Sequence, residues 1–241
     1  MTVTMTFNGY DFSRDFIPLC DSRPLPEFRD TSTVVSGADG ESFDGLTVGT
    51  REFTITLVAV NKEPKALQTC ARTLMDVLAV RSPKAFTFSD ERDSDGTQLV
   101  RYAVPTGAFD AQEFIKAGKW TCRFKQHDPY LYGKSRSVVL KPNQAQKISV
   151  GGNVPTWPTV TSKPSGSYFT ISDGSNRYVK FAAAFNGSTT LTLDFEKSRA
   201  SLSASLTGSG LLVGSRFFEI DDTVELKATS TTTVSWHERW L

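Results

Sequence analysis

The second half of the chain constrains the fold most strongly, because it shows no helical periodicity. From Gln146 onward the sequence is rich in Ser, Thr and Gly, and short alternating segments recur about every ten residues. Short strands separated by turns are typical of an antiparallel β-sandwich. We predict strands near Trp157 and Val160 and over residues 168–171, 178–181, 190–195, 201–206, 216–220, 223–227 and 231–240, and leave residues 182–185 and 211–213 open between strand and connection.

The first half contains one helical pattern, over residues 64–80. Pro64 suits the first turn of a helix, and Pro83 follows its end. Apolar side chains recur between them at intervals of three and four residues, which predicts a helix with one face packed against a sheet. This face consists of Leu67, Cys70, Ala71, Leu74, Met75 and Leu78.

Strands are predicted on both sides of this helix. The first ends at Asn8-Gly9, a pair favoured in tight hairpin turns. Pro105 lies inside a later strand, which must therefore be an edge strand or carry a bulge. The predicted strands are residues 2–7, 16–22, 84–89, 98–109 and 119–125.

The stretch 34–60 is predicted to serve as scaffold or interface. It begins as a strand, breaks into a loop with four glycines, and then alternates over residues 51–60 with Phe53 and Ile55 on one face. Glycines allow the loop to turn sharply or to lie close to another backbone. An open edge on this strand, or on the hairpin 84–109, would suit pairing with a neighbouring subunit.

Together the halves predict a mainly β (α+β) chain with two domains. A length of 241 residues is sufficient for two cores. A turn-rich segment over residues 126–136 and a linker at 141–143 place the boundary near residue 140. The first domain, residues 1–140, is then a β-sheet with one packed helix, and the second, residues 141–241, is an antiparallel sandwich.

The charge balance argues against strong electrostatic binding. The chain has 27 Lys plus Arg against 26 Asp plus Glu, and no long block of one sign. Neither tight binding to nucleic acid nor to an anionic membrane is implied. The N-terminus lacks a basic, apolar leader, and no segment approaches the about 18 apolar residues of a membrane span. We expect a soluble protein, made in the cytoplasm, with no membrane partner.

The cysteines do not predict catalysis. Cys20, Cys70 and Cys122 are odd in number and widely spaced, which fits buried free thiols better than a disulfide framework or a zinc site. Cys122 lies near His127, and the other histidine is His237, but such spacing alone does not make a catalytic pair.

Three groups of carboxylates are interpreted as solvated, and the hairpin that carries the first group alternatively as facing a partner. The spacing of the first group, at residues 90–95, is close to that of a calcium-binding loop, but no glutamate follows at the twelfth position. The second group, at residues 219–225, would serve a glycan hydrolase only if two of its carboxylates faced each other across a cleft. We expect no enzymatic activity, metal or cofactor. The groups are Asp90, Glu91, Asp93 and Asp95, then Glu219, Asp221, Asp222 and Glu225, and, in the glycine loop, Asp39, Glu41 and Asp44.

Several segments, in order along almost the whole chain, resemble the distal tail proteins, the Dit family, of bacteriophages with long non-contractile tails. The resemblance rests on their order and spacing more than on any one segment. They are TFNGYDFSRDF, GADGESFDG followed by VGTREFTITL, QHDPYLYG, GGNVPTWPTVT, LTLDF, RFFEI and TVSWHERWL.

The resemblance implies a structural protein of the virion without chemistry of its own. Its members form a ring, commonly a hexamer, at the tail tip or baseplate, between the tail tube and a tail-associated fibre or lysin protein. DNA passes through the ring without specific binding. The second domain would be a galectin-like sandwich that docks receptor-binding or baseplate proteins, and the last strand in relatives can return to the first domain.

Candidate subunit-interface residues lie in the glycine loop and the strand after it: Phe43, Leu46, Arg51, Phe53 and Ile55. One alternative function is a carbohydrate-binding module, suggested by Trp157, Tyr168, Tyr178 and Trp236. It would require aromatic rings on one exposed face. A glycan hydrolase is the less favoured alternative.

Overall fold

The computed structural model describes residues 3–37 and 39–241. The chain divides into two compact units: the first runs to Leu131 and includes Leu241, and the second runs from Tyr132 to Trp240. This division falls before the predicted boundary near residue 140, because the strand that ends at Leu140 contributes to the core of the second unit. The functional domain boundary itself stays a prediction. No described helix is long and apolar enough to cross a membrane.

The first unit is mainly antiparallel β-structure with two α-helices and a 3-10 helix in its described part. Its elements are β1 (Met5–Phe7), β2 (Tyr10–Asp11), the 3-10 helix Phe12–Arg14, β3 (Phe16–Ser22), β4 (Phe28–Val34), β5 (Glu41–Val48), β6 (Arg51–Ala59), α1 (Pro64–Leu78), β7 (Lys84–Arg92), β8 (Gln98–Thr106), α2 (Ala111–Ala117) and β9 (Lys119–Gln126).

Strand β6 lies at the centre of the first unit. It alternates between buried and more exposed residues, as predicted, and pairs with β3 on one side and β9 on the other. The expectation of an open edge here is therefore wrong. Pairing continues from β9 to β8, β7, β1 and β2, and Asn8 and Gly9 turn with positive φ between β1 and β2.

The core of the first unit is built from phenylalanine. Phe53 stacks on Phe124 with ring centroids 5.3 Å apart and meets Phe86 edge-on at 4.8 Å. Helix α1 confirms the helical pattern, although it ends at Leu78. Most of its predicted apolar face joins this core, but Met75 is 46 % exposed and lies outside it. Pro105 lies where β8 leaves β7 and pairs with β9, so the strand changes partner there.

Helix α2 is absent from the sequence-based prediction, which had only one helix. Asp110 caps its first turn by accepting hydrogen bonds from the backbone N–H groups of Gln112 and Glu113, and Gly118 ends it at φ 66°. Seven residues are too few for a clear apolar repeat. The caps were the available signal for this helix.

The second unit contains the strands β10 (Leu131–Leu140), β11 (Ala145–Ser149), β12 (Thr159–Ser162), β13 (Ser165–Asp173), β14 (Tyr178–Asn186), β15 (Leu191–Asp194), β16 (Arg199–Leu202), β17 (Gly210–Leu211), β18 (Thr223–Ala228) and β19 (Thr232–Trp240). They form two layers, ordered β16-β15-β12-β19-β10 and β11-β18-β13-β14-β17. Both layers contribute to one apolar core, which includes Val160, Phe169, Phe181 and Leu193.

This arrangement confirms the mainly β fold and the predicted antiparallel sandwich, while the galectin-like label stays a prediction. Residues 182–185, left open, belong to β14. Two predictions are wrong: residues 131–136 begin β10 instead of a turn-rich exit, and residues 216–220 form no strand, with only Ile220 making an isolated bridge to Thr156. Strand β10 was missed because it is largely polar and partly exposed.

Candidate assembly surface

Strands β4 and β5 form a hairpin, here called the arm, spanning residues 28–48. Within the described chain these two strands pair only with each other. Every residue of β4 is exposed, and in β5 only Gly45 and Val48 are half-buried. The predicted glycine loop is thus mostly strand. A two-stranded hairpin without a core is at best marginally stable in water, so a partner surface would stabilise the arm.

One face of the arm, here called the apolar face, carries its large apolar side chains, together with Asp30, Ser32 and Glu41. Residues opposite each other in a strand pair share a face, and the register pairs Phe28 with Val48 and Ser32 with Phe43. Phe28, Val34, Phe43 and Leu46 therefore lie on the same face. All four are exposed, Phe43 at 68 % and Leu46 at 55 %. The opposite face is polar, with Arg29, Thr31, Thr33, Ser42 and Thr47.

A β-bulge makes this face possible. Phe43 and Leu46 are three residues apart, so in a regular strand they would point to opposite faces. The register shifts between Thr31 and Ser32, and Asp44 is left without an opposite residue. The extra residue shifts the alternation of β5 by one position, so the side chains of Phe43 and Leu46 point to the same face.

A backbone hydrogen bond closes the base of the arm, and the segment before it is bound to the first unit. At its base the backbone N–H of Gly49 donates to the carbonyl oxygen of Glu27 at 2.7 Å. Arg23, just before the arm, donates to both carboxylate oxygens of Asp90, at 2.9 and 2.6 Å, and lies 3.2 Å from Glu91. Two parallel hydrogen bonds fix the orientation of the Arg23 guanidinium group as well as its distance from Asp90. The core thus determines where the arm begins.

A buried arginine lies beneath this attachment. Arg101 is 1 % exposed, pairs with Glu91, and stands over the rings of Phe53 and Phe88 at 5.1 and 4.9 Å. In the described residues its Nε and Nη1 have no hydrogen-bond partner, so the aromatic faces provide much of its surroundings. Burial lowers the pKa of Arg101, and Glu91 opposes that shift.

The same charges act on the neighbouring groups. Burial, and then the positive charge of Arg101, lower the pKa of Arg51, which begins β6 directly after the arm. The hydrogen bonds from Arg23 lower the pKa of Asp90 and raise that of Arg23. The ion pairs of Arg23 thus link the segment before the arm to the end of β7.

The candidate interface residues separate into two groups. Phe43 and Leu46 lie on the apolar face of the arm. Arg51, Phe53 and Ile55 are buried in the first unit, at 6 %, 1 % and 0 % exposure, so their side chains are not presented at its surface. Sequence reasoning missed Phe28 and Val34, whose signal was an apolar residue at each end of a polar strand.

The cysteines lie in the interior or close to it. Cys122 is buried in the core, its thiol contacts the carbonyl oxygen of Arg123, and burial raises its pKa. Burial also raises the pKa of Cys20 and Cys70. A raised pKa disfavours the reactive thiolate, which supports the interpretation as structural thiols.

The acidic residues 90–95 have structural partners. Asp90 and Glu91 bind the arginines described above, and Asp93 accepts hydrogen bonds from the backbone N–H groups of Asp95 and Thr97. No group of three or more potential metal ligands occurs among residues 3–37 and 39–241. The second cluster surrounds the turn into β18, where Asp222 has a φ of 41°.

Of the aromatic residues considered for sugar binding, only two are exposed. Trp236 is buried in the predicted final strand, and its Nε1 donates to the carbonyl oxygen of Val150 at 2.8 Å. Trp157 is half-buried and packs against the core of the sandwich. Tyr168 and Tyr178 are exposed on the opposite layer.

Comparison with known proteins points to bacteriophage tails. Residues 151–240 match the family model of the SPP1 Dit type, described as the C-terminal domain of siphovirus-type tail components. A search of curated protein sequences found no match.

Solved structures of phage proteins share the fold. The crystal structure of SPP1 Dit (gp 19.1), described as a paradigm of the hub adsorption apparatus in phages that infect Gram-positive bacteria, has a TM-score of 0.79 at 20 % identity over 100 % of both chains. Chains of the phage P2 baseplate in its activated conformation score 0.50 with Ca and 0.51 with Sr. Both are 6 % identical to this chain. The match to the Ca structure covers 99 % of this chain and 98 % of the baseplate chain. The match to the Sr structure covers 98 % of this chain and 96 % of the baseplate chain.

The second unit therefore defines the class of its domain: it matches the C-terminal domain of siphovirus-type tail components. More narrowly, residues 151–240 match the SPP1 Dit type of that domain, and the fold of the whole chain is similar to that of SPP1 Dit. These comparisons bear out the resemblance to distal tail proteins and agree with the predicted location in a virion tail.

Proposed function

We propose that the chain is the hub at the distal tip of the tail, in the baseplate, where copies of it close into a ring. The resemblance to distal tail proteins suggests six subunits, with the tail tube on one side and a tail-associated fibre or lysin protein on the other. The description of SPP1 Dit as a hub supports this role.

The exposed arm is the observation that carries the proposal. A ring needs a heterologous interface, in which one patch contacts a different patch on the next copy. An exposed apolar surface on a soluble protein marks an interaction site, and the arm also offers strand edges for pairing. Its apolar face would therefore be covered by the neighbouring subunit.

The remaining parts fit a structural role. The second unit supplies a sandwich on which receptor-binding or baseplate proteins can dock. A net charge of +1 suits a ring through which DNA passes without being held. The proteins of similar fold are structural tail and baseplate proteins, which supports the absence of enzymatic activity and of a cofactor.

Light scattering coupled to size-exclusion chromatography tests the ring directly. Purified full-length chain should elute, at micromolar concentration, with a mass of about six times its 26.5 kDa, and negative-stain images should show rings. A single species of 26.5 kDa at every concentration would contradict a ring that closes without other tail proteins.

A further inference from the structure

The outer face of the layer β11-β18-β13-β14-β17 carries a cleft of about 460 Å³, within the range of small-ligand pockets. The cleft is lined by side chains that alternate along each strand with those pointing into the core. Phe169, Ile171, Val179 and Leu226 point into the core, so their neighbours point outward. The outward residues that line the cleft are Tyr168, Thr170, Ser172, Tyr178, Lys180 and Lys227.

These side chains stand in rows across three strands. Lys227, Ser172 and Tyr178 are direct neighbours in one row, and Thr170 and Lys180 form the next. Tyr168 lies one row further, opposite Ala182. Four residues of strand separate the rows of the two tyrosines, about 13 Å at 3.2–3.4 Å per residue.

The composition of the cleft indicates the chemistry of its ligand. Two exposed aromatic rings offer flat apolar faces with a polar edge, and the hydroxyl groups and the amide of Asn143 offer hydrogen bonds. Among the residues that the structure describes, its lining includes two lysines and no carboxylate. The ammonium of Lys180 lies 4.3 Å from the centre of the Tyr168 ring, so charge and aromatic face occur together.

We propose that this cleft binds an anionic saccharide, with sugar rings against Tyr168 and Tyr178 and a phosphate or carboxylate group between Lys180 and Lys227. The charge of the lining selects an anion, and the rings and hydroxyl groups select a sugar over a simple salt. The site is independent of the arm, and its test does not depend on whether the chain forms a ring.

Biolayer interferometry with the full-length chain tests this site. The probes are glucose-substituted poly(glycerol phosphate) as the phosphate-bearing saccharide and polysialic acid as the carboxylate-bearing one. Unsubstituted poly(glycerol phosphate) and neutral dextran are the comparisons. We expect binding to at least one anionic saccharide, weaker at about 300 mM than at about 50 mM NaCl because salt screens the lysines.

Variants locate the binding. Lys227→Gln and Tyr168→Ala should each weaken it about tenfold, from loss of a charged contact and of an aromatic platform. Lys147→Gln is the matched control, since Lys147 is exposed on β11 of the same layer but does not line the cleft. Thermal unfolding checks that each variant is folded, and the surface position of Lys227 makes it the safer test.

Three results would overturn the proposal. The first is no binding of either anionic saccharide. The second is binding that Lys227→Gln and Tyr168→Ala leave unchanged. The third is equal binding of unsubstituted poly(glycerol phosphate), which would show that the lysines recognise phosphate and the sugar adds nothing.

Discussion

Replacing Phe43 by alanine should weaken ring assembly with little effect on the subunit itself. The side chain is 68 % exposed, so about 140 of its roughly 200 Å² remain available for contact. At about 25 cal/mol per Å², full coverage of this area contributes about 3.5 kcal/mol. Alanine retains its methyl group, which leaves a loss of about 2 kcal/mol, or about 30-fold, at each subunit contact.

Mass photometry over a dilution series measures this loss as the concentration at which rings and subunits are equally populated. Phe43→Ala should raise that concentration at least 30-fold, because every contact around a closed ring carries the same defect. Ser42→Ala is the matched control: Ser42 is exposed on the polar face of the same strand, and we expect no shift.

The subunit provides a second control. Because Phe43 packs little within its own chain, the free energy of unfolding should change by no more than about 0.5 kcal/mol. A midpoint for Phe43→Ala within about threefold of the unmodified chain, with intact rings, would refute the argument that the apolar face of the arm forms the subunit contact.

Two further predictions concern the attachment of the arm. Arg101→Ala should lower the free energy of unfolding, measured in urea, by about 3 kcal/mol, because it leaves space beside Phe53 and Phe88 and removes a partner of Glu91. Arg101→Met should recover most of the packing. Equal losses of stability for the two variants would contradict this packing role of Arg101. Asp90 has a lowered pKa, so its pairing stabilises the fold above the unfolded-state pKa of about 3.9 and is lost as the pH falls through the folded-state pKa. The stability advantage of the unmodified chain over Asp90→Asn should therefore shrink between about pH 5 and about pH 3, and a constant difference would argue against the ion pair.

Regular patterns in the sequence predicted much of the fold. The repeat of three and four residues gave α1, and alternation gave β6 and most strands of the sandwich, since one buried face produces each pattern. Alternation does not show what lies beside a strand. Phe53 and Ile55 were therefore assigned to an open edge, although β3 and β9 cover both sides of β6.

The arm was hidden from sequence analysis for a physical reason. The bulge at Asp44 breaks the alternation of β5, and Gly45 and Gly49 suggest a loop. Without a core behind it, the arm also lacks the contrast between buried and exposed positions that marks an ordinary strand. Phe43 and Leu46 were identified as interface candidates, but their common face became visible only with the register.

The acidic residues of the arm have a consequence for the life of the free subunit. Asp30 lies on the apolar face opposite Leu46, and Glu41 and Asp44 flank Phe43. Carboxylates within a short strand repel a second copy of the same strand and oppose aggregation. These charges therefore disfavour the stacking of arm upon arm between free subunits, and any surface that covers the apolar face has to accommodate Asp30.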